Sequence, residues 1–358
     1  MLKNIKLISN ILFKPIVVKP LPLHLQLEIT DACNLRCITC SRDQIIENPK
    51  IMSFGKFKEI YDNIKPQKIN ISGLGEPFIN KDIFRMSAYA NKKGSAVNLA
   101  TNFTLAGRYM DEIVSSGIDQ LKVSIDAANR DTYLKIRKQD KFEEITSSIE
   151  KLNYLKNKAG VAKPEIRFNF ALQKDNIDEL TDVINLASKL KIRSIYIQYL
   201  EYIDMEERKP YIVGKLNKNT LREHLIVAEN LAKAKKINTN ISIWLKDLEL
   251  YSNKMEPVDK FIPNMRTCYF PWFSTFVEVN GDVKPCPIFA WKRNEGKMGN
   301  IFEEKFEDIW NNDAYRELRT AFRKGQRPFN PCKTCIPQKV LNMFYVSSKM
   351  LPTRQKGE

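Results

Sequence analysis

Short apolar strands alternate with amphipathic helices between residues 24 and 200, and this alternation limits the possible folds more than any other feature. Each strand is reached from the one before it through a helix, a pattern typical of parallel β-α units with right-handed crossovers. Six such units fill only part of an eight-unit barrel, so the pattern predicts an α/β fold, a partial, TIM-like (β/α)6 barrel. The predicted strands are 24–30, 68–73, 96–101, 120–126, 165–172 and 194–200, and the predicted helices between them are 53–64, 81–93, 105–116, 142–158 and 176–190.

Four short motifs follow the first four predicted strands, each at the carboxyl end of its strand. The cysteine-rich segment CNLRCITC, residues 33–40, follows the first strand, and GLGEP at 73–77 follows the second. TNF at 101–103 ends the third strand, and SIDA at 124–127 ends the fourth. In parallel β-α folds the functional groups gather at the carboxyl ends of the strands. We therefore expect all four motifs on one rim.

The chain beyond residue 200 predicts a second, smaller unit. Residues 201–265 are helical and charged and include an amphipathic helix at 217–236. An Asn280-Gly281 pair between two alternating segments indicates a β-hairpin with a type I′ turn, and residues 299–325 predict a helix. This pattern favours a small C-terminal β-hairpin plus helix metal-binding domain. The predicted parts are an N-terminal extension at 1–22, the barrel at 23–215, a helical bridging segment at 216–265, the metal-binding domain at 266–340 and a tail at 341–358.

The composition excludes several classes of protein. With 358 residues, 43% of them hydrophobic, the chain can bury a core and is not disordered. No apolar run has the length of a membrane-spanning helix, so we expect no transmembrane segment and a cytoplasmic location. The net charge is +16, but the lysines are dispersed over helix faces, so no nucleic acid partner is expected. The two histidines, His24 and His224, are too few for a multi-histidine metal site.

The seven cysteines fall into a tight trio and a dispersed quartet. In a chain without a secretory signal, clustered cysteines more often bind metal or do redox work than form disulfides. The trio places Cys33, Cys37 and Cys40 on one loop. Structural zinc and cubane iron-sulfur clusters usually take four protein ligands, so three leave one metal position open for a substrate or cofactor. The alternative is a zinc site completed by a distant residue such as His24 or Asp31.

The motifs on the predicted rim resemble those of the radical S-adenosylmethionine (SAM) superfamily, over roughly residues 24–200. The resemblance implies that Cys33, Cys37 and Cys40 hold a [4Fe-4S] cluster whose fourth iron is chelated by the amino and carboxylate groups of SAM. It further implies an enzyme that splits SAM reductively into methionine and a 5′-deoxyadenosyl radical, which abstracts a substrate hydrogen atom. The electron would come from an external one-electron reductant such as flavodoxin or ferredoxin.

The resemblance also implies roles in SAM binding for residues at the other strand ends. GLGEP matches the GGEP element of the family, which meets the methionine amino group, with Leu74 as a departure. Thr101 and Asn102 match the start of a Thr-Asn-Gly element in which Phe103 replaces glycine. Arg137 matches the arginine that pairs with the SAM carboxylate, a role that suits its planar fork of donors. The SAM-binding residues so implied are Gly73, Gly75, Glu76, Pro77, Thr101, Asn102, Ser124, Asp126 and Arg137, and no catalytic base is assigned.

The four remaining cysteines, Cys268, Cys286, Cys332 and Cys335, supply enough ligands to close a tetrahedral shell. Their order and spacing, with the predicted hairpin and helix between them, resemble the twitch or SPASM-type C-terminal domain of radical SAM enzymes. The resemblance implies one auxiliary [4Fe-4S] cluster, fully ligated by protein. A structural zinc ribbon is the alternative.

The cysteine count indicates the type of reaction. Sets of three and four ligands use all seven cysteines, so none is left to return a hydrogen atom as in a redox-neutral epimerase. The auxiliary cluster is then expected to accept the electron that remains after hydrogen abstraction. The leading expectation is a radical SAM oxidoreductase that oxidises a small hydroxylated metabolite, sugar-like or phosphorylated.

Two alternatives stay open. One is a radical SAM/SPASM maturase that modifies a peptide or protein. Family members that act on peptides often carry a leader-binding domain before the barrel, and the short segment before the first strand favours a small molecule without excluding a peptide. The other alternative, from a different class, is a basic, non-catalytic zinc protein that binds nucleic acid.

Overall fold

Ten strands in the described part of the chain form one continuous sheet. The computed structural model describes residues 9–199, 217–245 and 268–335. The strands are β1 His24–Leu27, β2 Lys68–Ile71, β3 Ala96–Thr101, β4 Gln120–Ser124, β5 Glu165–Leu172, β6 Ser194–Tyr199, β7 Asn238–Thr239, β8 Ser274–Val277, β9 Asp282–Lys284 and β10 Gly299–Asn300. Their order across the sheet is β10-β9-β8-β1-β2-β3-β4-β5-β6-β7.

Strands β1 to β7 run parallel, each beside the next one in sequence, which confirms the predicted α/β fold. Strand β8 pairs in parallel with the free edge of β1, from His24 opposite Ser274 to Leu27 opposite Val277. Strands β9 and β10 continue the sheet in antiparallel pairing. The C-terminal hairpin therefore extends the barrel sheet at its β1 edge, and β10 and β7 are the two edges of the described sheet.

Helices connect the parallel strands at most of the positions where the periodicity predicts them. They are α1 Arg42–Ile45, α2 Phe54–Ile64, α3 Ile83–Lys92, α4 Met110–Ser115, α5 Arg130–Arg137, α6 Phe142–Lys158, α7 Leu180–Lys189, α8 Lys218–Ala234, α9 Phe306–Trp310, α10 Asp313–Arg323 and α11 Asn330–Thr334. Strands β3 and β5 and helix α6 have the predicted bounds. Ser53 caps α2, because its side-chain oxygen accepts a hydrogen bond from the Lys56 N–H.

Two predicted barrel helices are shorter than expected, and three short observed helices, α1, α5 and α11, were not predicted. The predicted helices at 105–116 and 176–190 begin as 3₁₀ turns at Ala106–Arg108 and Ile177–Glu179, which precede α4 and α7. Such turns are frequent at helix N-termini. Helix α5 was missed because eight residues show too little apolar periodicity. Its start is marked by Asn129, whose side chain accepts from the Thr132 N–H.

The turn of the C-terminal hairpin differs from the predicted type. A type I′ turn needs a positive φ at both central residues, but of Asn280 and Gly281 only the glycine has one, at 92°. The Gly281 N–H donates to the Glu278 carbonyl, and the Glu278 N–H donates to the Asp282 carbonyl, which makes a longer loop. The side-chain amide of Asn300 donates to the Asn280 carbonyl and to Asp282. Contacts from outside the hairpin therefore help select the observed turn.

The single helix predicted at 299–325 is two helices. Helix α9 ends at Trp310, and α10 begins at Asp313. Between them Asn312 adopts an extended conformation, and its side chain accepts a hydrogen bond from the Tyr315 N–H as an N-cap.

Some residues of every predicted part lie outside the described residues. They are 1–8 of the N-terminal extension, 200–215 of the barrel, 216 and 246–265 of the bridging segment, 266–267 and 336–340 of the metal-binding domain, and the whole tail at 341–358. Helix α8 confirms the amphipathic helix predicted at 217–236. Strand β7 pairs with β6 and was not predicted, because two residues are too few to show alternation. The domain boundaries stay predictions.

The two faces of the parallel sheet differ in burial. Leu25, Ile69 and Leu121 are fully buried in the core that the sheet shares with the helices. Burying a side chain of this size contributes about 1.5–3 kcal/mol. Side chains that alternate with them, such as Asn70 and Lys122, point to the other face and are half-buried. We call this polar side the inner face.

The described part of the N-terminal extension crosses the C-terminal unit. The Asn311 side chain exchanges two hydrogen bonds with the backbone of Val18, over 2.9 and 3.0 Å. Arg319 is fully buried and donates to the Ile16 carbonyl over 3.0 Å. Residues 16–18 are therefore fixed to helix α10 and to the segment that joins α9 to it. Among the described residues, no helix is long and apolar enough to cross a membrane.

Candidate active site

Polar side chains fasten the cysteine loop that follows β1. Asn34 Nδ2 donates to Thr104 Oγ1 over 2.8 Å, and Asn34 Oδ1 accepts from Asn102 Nδ2 over 3.0 Å. Gln139 Nε2 donates to the Asn34 carbonyl over 2.7 Å. The loop is therefore held between the end of β3 and the segment after α5. Of these residues only Asn102 was predicted.

Glu76, after β2, is buried and accepts three hydrogen bonds. Its Oε1 accepts from Thr101 Oγ1 over 2.7 Å and from the Phe78 N–H, and its Oε2 accepts from the Asn102 N–H over 2.6 Å. Pro77 begins the 3₁₀ turn that Glu76 caps. Burial raises the pKa of Glu76 to about 7, and the hydrogen bonds oppose that rise. A carboxylate has about four acceptor positions, so one remains for an ammonium group.

Gly73 and Gly75 allow the loop after β2 to approach the cysteine loop. A Cβ at Gly75 would lie 2.3 Å from the Thr30 carbonyl oxygen and 2.6 Å from that of Ala32. A Cβ at Gly73 would lie 2.4 Å from the side chain of Glu28. Both glycines are therefore required for close packing of the two loops.

Phe103 adopts the left-handed conformation that the Thr-Asn-Gly element assigns to glycine. Its φ is 63°, its side chain is fully buried, and its ring centroid lies 6.4 Å from that of Phe78. The Phe103 N–H donates to Thr101 Oγ1, and the Thr104 N–H donates to Asn102 Oδ1. A left-handed residue with a Cβ costs about 1–2 kcal/mol, which the burial of the ring offsets. The turn therefore forms without glycine.

Asp126 and Arg137 form a buried ion pair next to Cys37. Arg137 Nη2 lies 2.5 Å from Asp126 Oδ2, and Arg137 Nη1 lies 3.6 Å from Cys37 Sγ. Asp126 Oδ1 also accepts from the Ala171 N–H, in β5. Burial lowers the pKa of Arg137, but Asp126 and Cys37 outweigh burial, and the net pKa is raised. The guanidinium stays charged, and Ser124 lies half-buried at the end of β4 on the same rim.

Two buried polar atoms beside this ion pair have no hydrogen-bond partner within the described part of the chain, Arg137 Nε and Tyr133 Oη. Tyr133 lies one turn before Arg137 on α5 and is fully buried. Buried donors without partners are rare in native proteins, so both indicate a bound group that accepts hydrogen bonds. A carboxylate is such a group. Tyr133 was not predicted, and its spacing of four residues from Arg137 was the available signal.

The thiols of the cysteine loop are close enough to influence one another. Burial is the main cause that raises the pKa of Cys33 to about 11, and the charges of Glu76 and the other two loop cysteines add to it. Burial also raises the pKa of Cys37, and Arg137 opposes that rise. The thiolate is the form that binds metal, so a bound metal centre would offset what burial costs these thiolates.

A single metal ion and a [4Fe-4S] cluster require different arrangements of their cysteine ligands. Within residues 9–199, 217–245 and 268–335, no three Cys, His, Asp or Glu side chains converge as ligands of one metal ion. Zinc needs four ligands within about 2.0–2.3 Å of one point. A [4Fe-4S] cluster binds its cysteines through different irons and holds them farther apart.

His24 and Asp31, the residues considered for completing a zinc site, are engaged elsewhere. His24 begins β1, at the opposite end of the strand from the cysteine loop. Its Nε2 lies 2.8 Å from Asn70 Nδ2, and its Nδ1 lies 3.3 Å from Ser274 Oγ. Asp31 Oδ1 accepts from the Lys50 N–H over 2.6 Å. These contacts argue against His24 or Asp31 as a fourth ligand of a zinc ion at the trio.

The four C-terminal cysteines lie together. Burial raises the pKa of Cys286 well above its usual value, and the charges of the other three cysteines add to the rise. Arg327 Nη1 donates to the carbonyls of Cys332 and Cys335, over 2.8 and 2.5 Å. The structure thus brings the predicted quartet into one group of half-buried thiols. Its members are Cys268, Cys286, Cys332 and Cys335.

Arg293 connects the C-terminal unit with the base of the cysteine loop. Its Nη2 lies 2.6 Å from Glu28 Oε2, and its Nη1 lies 3.2 Å from Asp31 Oδ2. Burial raises the pKa of Glu28, and Arg293 opposes that rise. Arg293 was not predicted, because its partners lie 265 and 262 positions away and no local pattern marks it.

Two regions of the chain match known families. Residues 27–187 match the Radical SAM superfamily, and residues 268–336 match SPASM, an iron-sulfur cluster-binding domain. The chain therefore belongs to the radical SAM enzymes that carry a SPASM-type auxiliary cluster domain. These domains imply SAM with a SAM-binding [4Fe-4S] cluster in the barrel and an auxiliary iron-sulfur cluster in the C-terminal unit.

Several curated enzymes are similar in sequence. A GTP 3′,8-cyclase of Desulforamulus reducens is 26% identical over 53% of this chain, and the match spans only 58% of that protein. A GTP 3′,8-cyclase of Clostridium perfringens is 26% identical over 82% of this chain and 90% of that protein. A tungsten-containing aldehyde ferredoxin oxidoreductase cofactor-modifying protein of Pyrococcus furiosus is 24% identical over 87% of this chain and 86% of that protein.

Solved structures share the fold. Streptococcus suis SuiB bound to the precursor peptide SuiA matches with a TM-score of 0.65 and 16% identity, over 95% of this chain and 76% of SuiB. The enzyme anSMEcpe with bound AdoMet and Cp18Cys peptide matches with a TM-score of 0.60 and 16% identity, over 87% of this chain and 88% of that chain. At these identities the likeness concerns the fold alone.

Proposed function

We propose that this chain is an oxidoreductase that uses SAM-based radical chemistry to oxidise a small, polar, hydroxylated metabolite. The observation that carries the proposal is the placement of Arg137 and Glu76 beside the cysteine loop. Arg137 lies against Cys37, and the charge of Glu76 acts on Cys33. A cationic donor and an anionic acceptor at one loop fit the carboxylate and ammonium groups of the methionine part of SAM.

The residues of the rim would bind and orient SAM. When bound, the cluster on the trio supplies an electron for SAM cleavage, and the auxiliary cluster accepts one on substrate oxidation. Arg137 Nε and Tyr133 Oη would donate to the SAM carboxylate, since both lack partners in the described part of the chain. Glu76 would accept from the SAM ammonium group. The electron for SAM cleavage would come from an external one-electron reductant such as flavodoxin or ferredoxin.

The cysteine inventory supports oxidation. The trio and the quartet together include all seven cysteines of the chain. No thiol then remains to return a hydrogen atom to a substrate radical. A net two-electron oxidation needs no such thiol, so it is the reaction type that these residues support best.

The inner face supports a small polar substrate. Asn70, Ser124, Asn169 and Ala171 are half-buried there and are polar or small. Their amide and hydroxyl groups suit the hydroxyl groups of a metabolite. The relatives named GTP 3′,8-cyclase act, by that name, on a phosphorylated and hydroxylated metabolite, which is the proposed substrate class.

A peptide substrate is the second candidate. SuiB and anSMEcpe, whose folds this chain shares, are both described with bound peptides. Because this likeness concerns the fold alone, a peptide is tested only as the competing substrate.

The experiment is deuterium transfer into 5′-deoxyadenosine. Holoenzyme purified without oxygen is incubated with SAM, dithionite and one carbon-deuterated candidate at a time: a sugar phosphate, GTP or a short peptide. We expect deuterium in 5′-deoxyadenosine from a small metabolite, together with a product oxidised by two electrons. Transfer from the peptide alone would overturn the substrate class, and a product at the oxidation level of the substrate would overturn the reaction type.

A further inference from the structure

Lys122 lies in the middle of the inner face, among groups that orient it without neutralising it. Its Nζ donates to Asn70 Oδ1 over 2.9 Å. Asn70 also contacts His24, and His24 contacts Ser274. This row of side chains crosses the inner face from β8 to β4. Lysine carries three N–H donors, and within the described ranges Lys122 uses one of them, so two remain there for a ligand.

The row is neutral apart from the lysine. Burial and two positive charges lower the pKa of His24 to about 3, so its ring is uncharged. Its Nε2 then accepts from the Asn70 amide, and its Nδ1 donates to Ser274 Oγ. With that orientation the Asn70 carbonyl oxygen points to Lys122 and fixes the ammonium group.

Arg167 stands beside Lys122 in the neighbouring strand. The two residues are partners in the parallel register of β4 and β5, so their side chains share the inner face. Arg167 Nε donates to Asn169 Oδ1 over 3.1 Å, and its guanidinium carbon lies 5.0 Å from the centroid of the Tyr196 ring. These contacts hold the guanidinium along the face next to Lys122.

The charges around Lys122 favour an anion. Burial and the positive charges of Arg167 and Lys68 lower the pKa of Lys122 well below its usual value. Neighbouring cations that repel one another in a low-dielectric space are stabilised when an anion binds between them. Lys122 is half-buried, so part of its side chain stays accessible on the inner face.

The position suits the anionic end of a substrate. Along β4 and β5, the next pair of residues on the inner face is Ser124 and Asn169. This pair lies at the rim that holds the candidate SAM site. Two residues of a strand span roughly 7 Å. A small metabolite bound at Lys122 would therefore extend its other end to the rim.

We propose that Lys122, beside the guanidinium of Arg167, binds an anionic group of the substrate, a phosphoryl or a carboxylate group. The inference rests on the proposed function and narrows its substrate class to anionic metabolites. Phosphoryl and carboxylate share the oxygen acceptors that an ammonium and a guanidinium recognise. Titration with a phosphate probe and with a carboxylate probe distinguishes the two groups.

The test is direct anion binding, measured by calorimetry on oxygen-free holoenzyme. Pyrophosphate and malonate are titrated separately into wild type, Lys122→Met, Lys122→Arg and Lys151→Met. Lys151 is exposed on α6 and serves as the matched control. We expect saturable binding to wild type and to Lys151→Met, and affinity weaker by on the order of tenfold or more in Lys122→Met. Lys122→Arg keeps the charge and should bind within a few-fold of wild type.

The outcomes distinguish this inference from the function on which it rests. If pyrophosphate binds more tightly than malonate, the anionic group of the substrate is assigned as a phosphoryl group. If malonate binds more tightly, it is assigned as a carboxylate. Absence of saturable binding of both probes to wild type, or equal affinity in Lys122→Met, would overturn the site. Reductive SAM cleavage by the same wild-type preparation is assayed in parallel, because its failure counts against the proposed function and not against the anion site.

Discussion

Arg293 Nη2 lies 2.6 Å from Glu28 Oε2, and this contact joins the C-terminal unit to the strand that carries the cysteine loop. The Glu28 side chain is fully buried, and the Arg293 side chain is 18% exposed. The second nitrogen of the same guanidinium reaches Asp31, two residues before Cys33. The position of the first cysteine loop therefore depends on a residue of the auxiliary-cluster domain.

Arg293→Met tests this dependence. The variant leaves Glu28 and Asp31 without their cation, and breaking a buried pair from one side costs about 3 kcal/mol. We expect that loss in the free energy of unfolding, measured by urea denaturation. The control is Arg316→Met, whose partner Asp313 is exposed and 3.9 Å away, and which should change stability by less than about 0.5 kcal/mol. Equal stability of the two variants would contradict the role of Arg293.

Arg137→Lys tests the SAM carboxylate site. A lysine lacks the planar fork that faces Asp126 and Cys37 and removes the buried Nε donor. We expect SAM to bind more weakly by on the order of tenfold or more, measured by equilibrium dialysis of the holoenzyme. Arg130→Lys is the matched control on the same helix, because Arg130 is exposed and pairs with Asp140. Unchanged affinity in Arg137→Lys would remove Arg137 from the site.

Phe103 provides a test of the turn after β3. Phe103→Ala loses the buried ring and keeps the left-handed strain, whereas Phe103→Gly loses the ring and relieves the strain. We expect both variants to be less stable than wild type, with the alanine variant lower than the glycine variant by about 1 kcal/mol. Thermal denaturation gives the order. An alanine variant more stable than the glycine variant would mean that the φ of 63° imposes no strain.

The barrel was predictable because its signals are local. Apolar alternation and helical periodicity within single segments reproduce the bounds of β3, β5 and α6. The predictions of a type I′ turn at Asn280-Gly281 and of an unbroken helix through Asn312 were wrong. Contacts with residues outside the hairpin help decide the first, and one capping side chain interrupts an otherwise continuous helical pattern in the second.

The residues of the candidate site also differ in whether a local sequence pattern marks them. Cys33, Glu76 and Arg137 belong to short motifs, and the structure places them around one loop. Tyr133 and Arg293 carry no motif. Tyr133 lies in a helix too short to be recognised, and the partners of Arg293 are brought to it only by the pairing of β8 with β1.

His24 gives the fold a specific pH dependence. Burial and the charges of Lys68 and Lys122 lower its pKa from 6.5 to about 3 in the folded chain. Between these values the unfolded chain binds a proton that the folded chain does not, so stability falls as the pH falls. The contribution of His24 is complete well above pH 6.5, and from about pH 7.5 to about pH 5.5 the loss from this group is on the order of 1 kcal/mol.

Comparison of the two histidines isolates this effect. From about pH 7.5 to about pH 5.5, the unfolding free energy of wild type and of His224→Asn, which keeps His24, should change less favourably than that of His24→Asn by on the order of 1 kcal/mol. Other groups that titrate in this range, such as Glu76, contribute equally to all three chains. His24→Asn should lack that part of the pH dependence, since asparagine does not titrate. The same slope in His24→Asn as in wild type would show that the ring is not held neutral.

The central claim is that two separate cysteine sets hold two iron-sulfur clusters and that only the trio supports SAM cleavage. The most direct measurement is iron, sulfide and zinc content, with reductive SAM cleavage, in oxygen-free wild type, Cys33→Ala and Cys332→Ala. We predict about eight irons per chain in wild type and about half of that in each variant. Cys33→Ala should not cleave SAM, whereas Cys332→Ala should cleave it without forming oxidised product. About two zinc ions per chain with no iron or sulfide, or normal SAM cleavage by Cys33→Ala, would contradict the account.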